Sequence, residues 1–294
     1  MKVLNLIIMV FTIIDDFCQK FFPMRKLRQR GFLPKLADSE VMTMEVVGEF
    51  MGLHEDKSIY NYFKQHWTDL FPRIPDRSNF VRQAANLWKV KEALFEYLQT
   101  NTGQWLQILD SMPLEVCKFV RARYTKLFKN SASYGKWFGQ TFFGYRLHLK
   151  ITRIGMIRSF ALTPANIHDT KCVDELLGND FQGWVLADKG YRGEPLRQRL
   201  WQDRRIYLHT SLRRNDTKTS PLPKTTIHQL TGIRRLIETV AGQLEQQFAI
   251  KTTLARDLWH FSNRIIRKIV SHTCGVWINL KLNRDPLKLK SLMC

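Results

Sequence analysis

The chain has 294 residues, enough for one large or two ordinary domains, and its 44% hydrophobic content excludes a disordered polypeptide. Lysine and arginine outnumber aspartate and glutamate by 46 to 26, which gives a formal net charge of +20 at pH 7. Such an excess indicates an anionic partner. Nucleic acid is the leading candidate, because the basic residues are spread over several segments that also contain aromatic residues. A membrane surface is the second candidate.

The N-terminus is apolar, and the chain contains five cysteines. The stretch MKVLNLIIMVFTIID resembles a signal sequence, but it lacks a small-residue cleavage site and is too short to span a bilayer, so it predicts a core helix. The cysteines are odd in number and show no CxxC spacing, which argues against both a disulfide framework and a thiolate zinc site. We therefore expect a protein of the reducing cytoplasm.

Residues 39–98 show apolar stripes at helical spacing and predict three successive helices, the third capped by Asp76 or Ser78. Three short helices in a basic protein suit a helix-turn-helix that reads DNA, and they suit an ordinary packing domain equally well. In the first interpretation, four basic residues would lie near phosphates: Arg77, Arg82, Lys89 and Lys91. We expect an N-terminal helical domain over residues 1–100.

After Gly103 the apolar pattern becomes that of strands. In YRLHLKIT, residues 145–152, apolar side chains alternate with polar ones, which predicts a strand with one buried and one solvated face. Further strands are predicted at 105–109, 156–162, 184–187 and 206–209, helices at 170–177, at 194–203 and from Thr231, and an exposed loop at 213–229. The order predicts an α/β (mixed α+β) domain over residues 101–294, with a mixed sheet flanked by helices.

Three acids lie at or near the ends of these elements. Asp110 closes the first strand, Asp188 closes the strand at 184–187, and Glu238 lies on the helix that follows the last strand. Converging carboxylates repel one another unless cations hold them, and two Mg²⁺ ions about 4 Å apart would support phosphoryl transfer. Each acid also has a plainer interpretation: the aspartates as turn residues, with Gly190 supplying a positive φ, and the glutamate as a partner of Arg234.

The combination of motifs resembles a known family. LDSMPL, FFGYRLHLKIT, ALTPANIHD, LADKGYRG and RRLIETVAGQLEQQF occur in the order found in DDE transposases of bacterial insertion sequences, and look most like the group typified by insertion sequence 982. The resemblance extends to about Leu282. It implies an RNase H-like catalytic domain, two divalent ions (Mg²⁺ or Mn²⁺), cleavage at element ends, strand transfer into target DNA and a homodimer. By motif, Asp110, Asp188 and Glu238 match the catalytic, metal-binding acids.

The chain departs from the signature that surrounds the glutamate in related groups. It keeps Arg234, but Thr231 stands where those groups have tyrosine, and Glu245 stands where they have lysine. One DNA contact of those groups is therefore missing here. Glu245, seven residues from Glu238, is a competing acid on nearly the same helical face.

Three basic segments are candidates for a DNA groove: residues 112–140, 213–235 and 251–290. His168, in NIHD, is a candidate for a supporting role or a DNA contact, and Asp169 beside it suits a helix N-cap. We expect the DNA-binding residues to include Arg121, Arg123, Lys126, Lys136, Arg146, Lys189, Arg234 and Arg235.

Three other functions stay open at this point. A metal-dependent nuclease on the same fold would cut DNA without joining it. A non-catalytic regulator would bind DNA without cutting it. A membrane-surface protein would use the apolar N-terminus and the basic charge.

Overall fold

The computed structural model describes residues 2–22, 33–99, 105–179, 181–210 and 223–293. The chain divides into two compact units. The first comprises Met1–Leu98, Leu244–Thr253 and Trp259–Cys294, and the second comprises Gln99–Gln243 and Leu254–Leu258. The first boundary lies where the sequence pattern changes from helical to strand-like. The grouping of C-terminal residues with the N-terminal helices has no counterpart in the sequence-based expectation.

The first unit begins with five helices: α1 (Val3–Phe21), α2 (Asp38–Phe50), α3 (Asp56–His66), α4 (Arg77–Asn86) and α5 (Trp88–Leu98). The apolar face of α1 is buried, as expected for a core helix, and no described helix is both long and apolar enough to cross a membrane. The expected third helix divides at Leu87 into α4 and α5. Asp76 caps α4, because its carboxylate accepts the Asn79 N–H at 3.0 Å.

The second unit contains a six-stranded mixed sheet, formed by β1 (Leu106–Cys117), β2 (Ser133–Trp137), β3 (Gln140–Thr152), β4 (Ile157–Pro164), β5 (Gly183–Ala187) and β6 (Ile206–Thr210). The strand order is β2-β3-β1-β5-β6, and β4 also pairs with β3. β3 is antiparallel to β1, β2 and β4, whereas β5 is parallel to β1 and β6. This is the expected mixed sheet, and its arrangement is RNase H-like.

β1 does not end at Asp110, contrary to the sequence-based expectation. The strand continues to Cys117 because β3 pairs with it from Gln107 onwards, while β5 pairs only with Leu106–Leu109. Asp110 therefore marks the point where the parallel neighbour ends. β2 was not predicted from the sequence.

The polar face of β3 is buried, and the expectation that it is solvated was wrong. His148 and Thr152 are fully buried, and Lys150 is nearly so. The Lys150 ammonium donates to the carbonyl oxygen of Leu177 at 3.3 Å, and burial lowers the pKa of this lysine to about 8. Both faces of β3 are thus covered by other parts of the protein.

Helices flank the sheet: α6 (Val173–Leu177), α7 (Glu194–Arg204), α8 (Lys224–Arg234) and α9 (Leu236–Gln246). Side chains of α6 and α7 pack with those of β5 and β6 in one hydrophobic cluster that includes Leu176, Leu200, Val185 and Leu208. The expected loop at 213–229 is wrong from Lys224 onwards, where α8 begins, and residues 211–222 lie outside the described residues. A single residue, Arg235, separates α8 from α9 and interrupts the helix there.

The long C-terminal helix α10 (Leu258–Lys281) contributes cations to a buried ionic cluster in the first unit. Arg267 donates to Glu49 at 2.7 Å and to Asp56 at 2.5 Å, with its side chain 1% exposed. Lys91 donates to Glu45 at 2.9 Å. The interpretation that placed Lys91 near DNA phosphates is therefore wrong, because its ammonium is enclosed within the unit.

Candidate active site

The two aspartates follow directly on the paired segments of two parallel strands, and Asp110 itself lies within β1. The pairing of β1 with β5 runs from Leu106↔Trp184 to Leu109↔Ala187, and the next residues are Asp110 and Asp188. Neighbouring strands lie about 4.8 Å apart, so the two acids stand side by side at one edge of the pairing. In open α/β sheets, this edge at the carboxyl ends of parallel strands is where ligands bind.

The surroundings of Asp110 disfavour its negative charge. Burial raises its pKa from 3.8 to about 6, and the neighbouring charge of Asp188 acts in the same direction. The Ser111 N–H, which donates to the Asp110 carboxylate at 2.8 Å, and the Arg234 guanidinium oppose this rise without cancelling it. A positively charged ligand beside Asp110 would therefore stabilise its ionised form.

Arg234 joins the glutamate to this pair. Its guanidinium donates to Glu238 Oε1 at 3.1 Å and lies 4.0 Å from Asp188 Oδ1. The ion pair between Arg234 and Glu238, one of the two interpretations of Glu238 from the sequence, is therefore present. Because Arg234 also lies near Asp188, the start of α9 lies close to the aspartates. Among the residues that the structure describes, no three His, Cys, Asp or Glu side chains are grouped so as to hold a metal ion.

The donor set at this edge fits a divalent cation through two residues. Asp110 and Asp188 offer carboxylate oxygens, and Mg²⁺ needs only one or two carboxylates when waters and substrate phosphate complete its coordination. The pKa of Asp110 is raised chiefly by burial and further by the charge of Asp188, and a cation bound beside the two carboxylates would oppose both effects. Glu238 does not join this donor set while Arg234 holds its carboxylate.

A fourth acid, Asp169, lies beneath the edge. Its Oδ1 accepts from Arg146 at 3.0 Å and from the Ser111 hydroxyl at 3.2 Å. A Cβ added to Gly190 would clash with Asp169 Oδ2. The glycine of DKGY is therefore required for this close approach and not for a positive φ, which Gly190 does not have.

Three buried side chains, His148, Tyr191 and Cys172, lie next to these acids. His148 is fully buried, and burial lowers its pKa to about 4 despite the opposing charge of Asp169. The Tyr191 hydroxyl lies 3.4 Å from His148 Nδ1, and burial raises the pKa of this tyrosine. Cys172 Sγ lies 3.4 Å from His148 Nε2. These side chains support the edge and are closed to DNA.

The prediction that Asp169 caps a helix was wrong. The residue that caps the short helical turn at Asp169–Cys172 is His168, whose Nδ1 accepts the Thr170 N–H at 3.3 Å. Asp169 instead pairs with Arg146, a partner 23 residues earlier in the chain. The NIHD motif and the arginine on the polar face of β3 are the two sequence signals of this pair. The pairing of β3 with β4, which sets Arg146 opposite Thr163, brings the segment after β4 close to the arginine.

Most of the predicted DNA-binding residues are exposed: Arg121, Arg123, Lys126, Lys136, Lys189 and Arg235. Arg146 and Arg234 are half-buried and already paired with acids. The competing acid Glu245 is paired as well, because the Lys251 ammonium lies 2.6 Å from its carboxylate. The contacts of these eight basic residues with DNA stay predictions.

An RNase H-like sheet with two adjacent aspartates at the end of its central parallel pair defines the class: enzymes that transfer phosphoryl groups of nucleic acids. A family model described as the transposase DDE domain matches residues 100–258, a range that includes all three candidate acids and more than half of the chain. The chain belongs to the DDE transposase family. Comparisons with curated proteins and with solved structures gave no match.

Proposed function

We propose that this protein is the transposase of a bacterial insertion sequence of the group typified by insertion sequence 982. It cuts DNA at the ends of the element and joins these ends to target DNA. It acts as a dimer because two ends must be joined, and it acts in the cytoplasm. The observation that carries the proposal is the adjacent pair Asp110 and Asp188, with the pKa of Asp110 raised by burial and by its neighbour.

In this proposal Asp110 and Asp188 would hold one divalent cation, Mg²⁺ or Mn²⁺, and Glu238 would help to hold a second. The bound ions would polarise the scissile phosphodiester and lower the pKa of the attacking water or 3′-hydroxyl. Asp169 positions Ser111 through its hydroxyl, and the Ser111 N–H in turn orients the Asp110 carboxylate. Gly190 leaves room for the carboxylate of Asp169.

Arg234 has two roles in the proposed cycle. Without DNA it neutralises part of the charge of Asp188 and Glu238. A guanidinium also matches the geometry of a phosphate, so a DNA phosphate at the edge competes for Arg234 and frees Glu238 for the second cation. The exposed Lys189 and Arg235 flank the same edge and contact neighbouring phosphates.

The test uses the full chain with duplexes made from the DNA that flanks its gene. With Mg²⁺, the wild type should cut these duplexes and join pre-cut ends to a plasmid, and EDTA should abolish both steps. Asp110→Asn, Asp188→Asn and Glu238→Gln should each lower cleavage by at least about a hundredfold, corresponding to about 2.7 kcal/mol of transition-state stabilisation.

Glu245→Gln is the matched control, because it makes the same chemical change seven residues further along the chain and should leave cleavage near the wild-type rate. Retention of metal-dependent cleavage by Asp110→Asn or Asp188→Asn would contradict the site assignment. Cleavage without joining would instead favour a nuclease, and binding without cleavage would favour a regulator.

A further inference from the structure

The turn between β2 and β3 carries an aromatic side chain in an unfavourable place. Phe138 and Gly139 form a two-residue turn, closed by the pair Trp137↔Gln140, and both turn residues have positive φ, 45° and 81°. Asn or Asp is favoured before glycine in this type of hairpin, whereas a bulky residue with positive φ is an outlier. Phe138 is 92% exposed, so its ring contributes little to the stability of the folded chain.

The hairpin that carries Phe138 is held in place by contacts of the two residues that precede the turn. Arg146 on β3 donates to the carbonyl oxygen of Lys136 at 3.2 Å and to Asp169 at 3.0 Å, and its guanidinium lies 5.9 Å from the centre of the Trp137 ring. The tip is therefore presented by a braced hairpin. A side chain held in advance loses less conformational entropy when it binds a partner.

The surface around the hairpin combines positive charge with exposed apolar side chains. Its exposed cations are Lys118, Arg121, Arg123, Lys126, Lys129 and Lys136, and Glu115 is the only acid from Met112 to Gln140. The same segment exposes Phe119, Val120, Tyr124, Leu127 and Tyr134. This charge is complementary to the phosphates of a DNA duplex, and the largest apolar surface that a duplex can offer to the ring at the tip is the face of an unstacked base pair.

We propose that Phe138 is a wedge that inserts between two base pairs of duplex DNA bound along this hairpin. Apolar wedges of this kind unstack a base step and bend the duplex, while nearby cations hold the phosphates. Leu149 of β3 lies opposite Asp110, nine residues from the start of β3 at Gln140. At about 3.3 Å per residue the tip lies up to about 30 Å from the acids, the length of about nine base pairs, so one duplex can reach both.

The inference rests on the DNA substrate proposed above, but its test does not need catalysis. The probes are two 30-base-pair duplexes that differ only in one central T·T mismatch, with binding measured by fluorescence anisotropy in EDTA. A mismatched step is easier to unstack, so the wild type should bind the mismatched duplex about tenfold more tightly. Phe138→Asn should lower this ratio to about one, and Phe138→Trp should retain it.

Asn is the favoured residue at this turn position, so loss of folding does not explain the effect of Phe138→Asn. Tyr124→Ala removes an exposed aromatic ring from the same basic segment and should keep the tenfold ratio. Asp110→Asn should lose cleavage and keep the ratio, which separates failure of the wedge from failure of the proposed catalytic function.

Three results would overturn the wedge. A wild-type ratio near one would exclude preferential insertion, and an unchanged ratio in Phe138→Asn would exclude Phe138 as its cause. If Phe138→Asn instead reduced co-sedimentation with phosphatidylserine vesicles or shifted the sedimentation coefficient without DNA, the ring would serve a membrane surface or a second copy of the chain.

Discussion

Asp110 destabilises the metal-free fold, so we expect Asp110→Asn to stabilise it. The pKa of Asp110 rises from an ordinary value of 3.8 to about 6 in the folded chain, chiefly because the carboxylate is buried. At about 1.36 kcal/mol for each pKa unit, ionised Asp110 costs the fold about 3 kcal/mol at pH 7.5. Asparagine has no charge to desolvate, and its side-chain oxygen can still accept the Ser111 N–H.

The pH dependence follows from the direction of this change. Between pH 3.8 and about 6 the folded chain retains the proton that the unfolded chain has lost, so the stability of the wild type falls as pH rises through this window. The Asn variant lacks this loss. Its advantage in free energy of unfolding should therefore be about 3 kcal/mol at pH 7.5, about 1 kcal/mol at pH 4.5 and near zero below the unfolded pKa.

The assay is urea unfolding in EDTA at pH 7.5 and pH 4.5, followed by tryptophan fluorescence. Asp174→Asn is the control, because Asp174 is a half-exposed acid paired with Arg199 at 2.8 Å, and its replacement should change the free energy of unfolding by about 1 kcal/mol or less. If Asp110→Asn were no more stable than the wild type at pH 7.5, or equally stabilising at both pH values, burial of a charged Asp110 would not be the cause.

Three further variants, one of them with a control variant, give additional tests. Gly190→Ala should displace Asp169 and lower cleavage at least about tenfold, whereas Gly232→Ala, where a Cβ meets nothing within 4 Å, should leave the cleavage rate unchanged. Arg267→Met removes the cation that Glu49 and Asp56 share, leaving them Lys268 and Arg264, and should cost about 3 kcal/mol in urea unfolding. Asp188→Asn should bind duplex DNA about fivefold more tightly in EDTA, measured by anisotropy, because one repulsive charge is gone.

The sequence predicted the elements whose signal is local. Alternation identified β3, and short apolar runs bounded by turn residues identified β5 and β6. Asp76 followed from capping chemistry alone. The adjacency of Asp110 and Asp188 was expected only because the family order made their strands neighbours.

The parts that the sequence did not predict depend on pairing over long distances. The extension of β1 past Asp110 exists because β3 continues beside it, and the burial of His148 and Lys150 exists because α6 and the turn at Asp169–Cys172 cover that face. The need for a glycine at position 190 could not be predicted either, because it depends on the close approach of Asp169, which lies 21 residues earlier in the chain. Local patterns identify which residues are polar, but not which polar side chains will be enclosed.

The negative charge of the candidate site should link its affinity for a cation to its affinity for DNA. Asp110, Asp188 and Glu238 against the single guanidinium of Arg234 leave a formal charge of −2 when all are ionised, within a chain of net charge +20. A phosphodiester that approaches this edge meets repulsion that the surrounding lysines and arginines do not remove locally. In the proposed function, a divalent cation held by Asp110 and Asp188 would offset that repulsion, and a phosphate that engaged Arg234 would leave more negative charge for the cation to offset. Each ligand should therefore increase the affinity of the other by the same factor, as linkage requires.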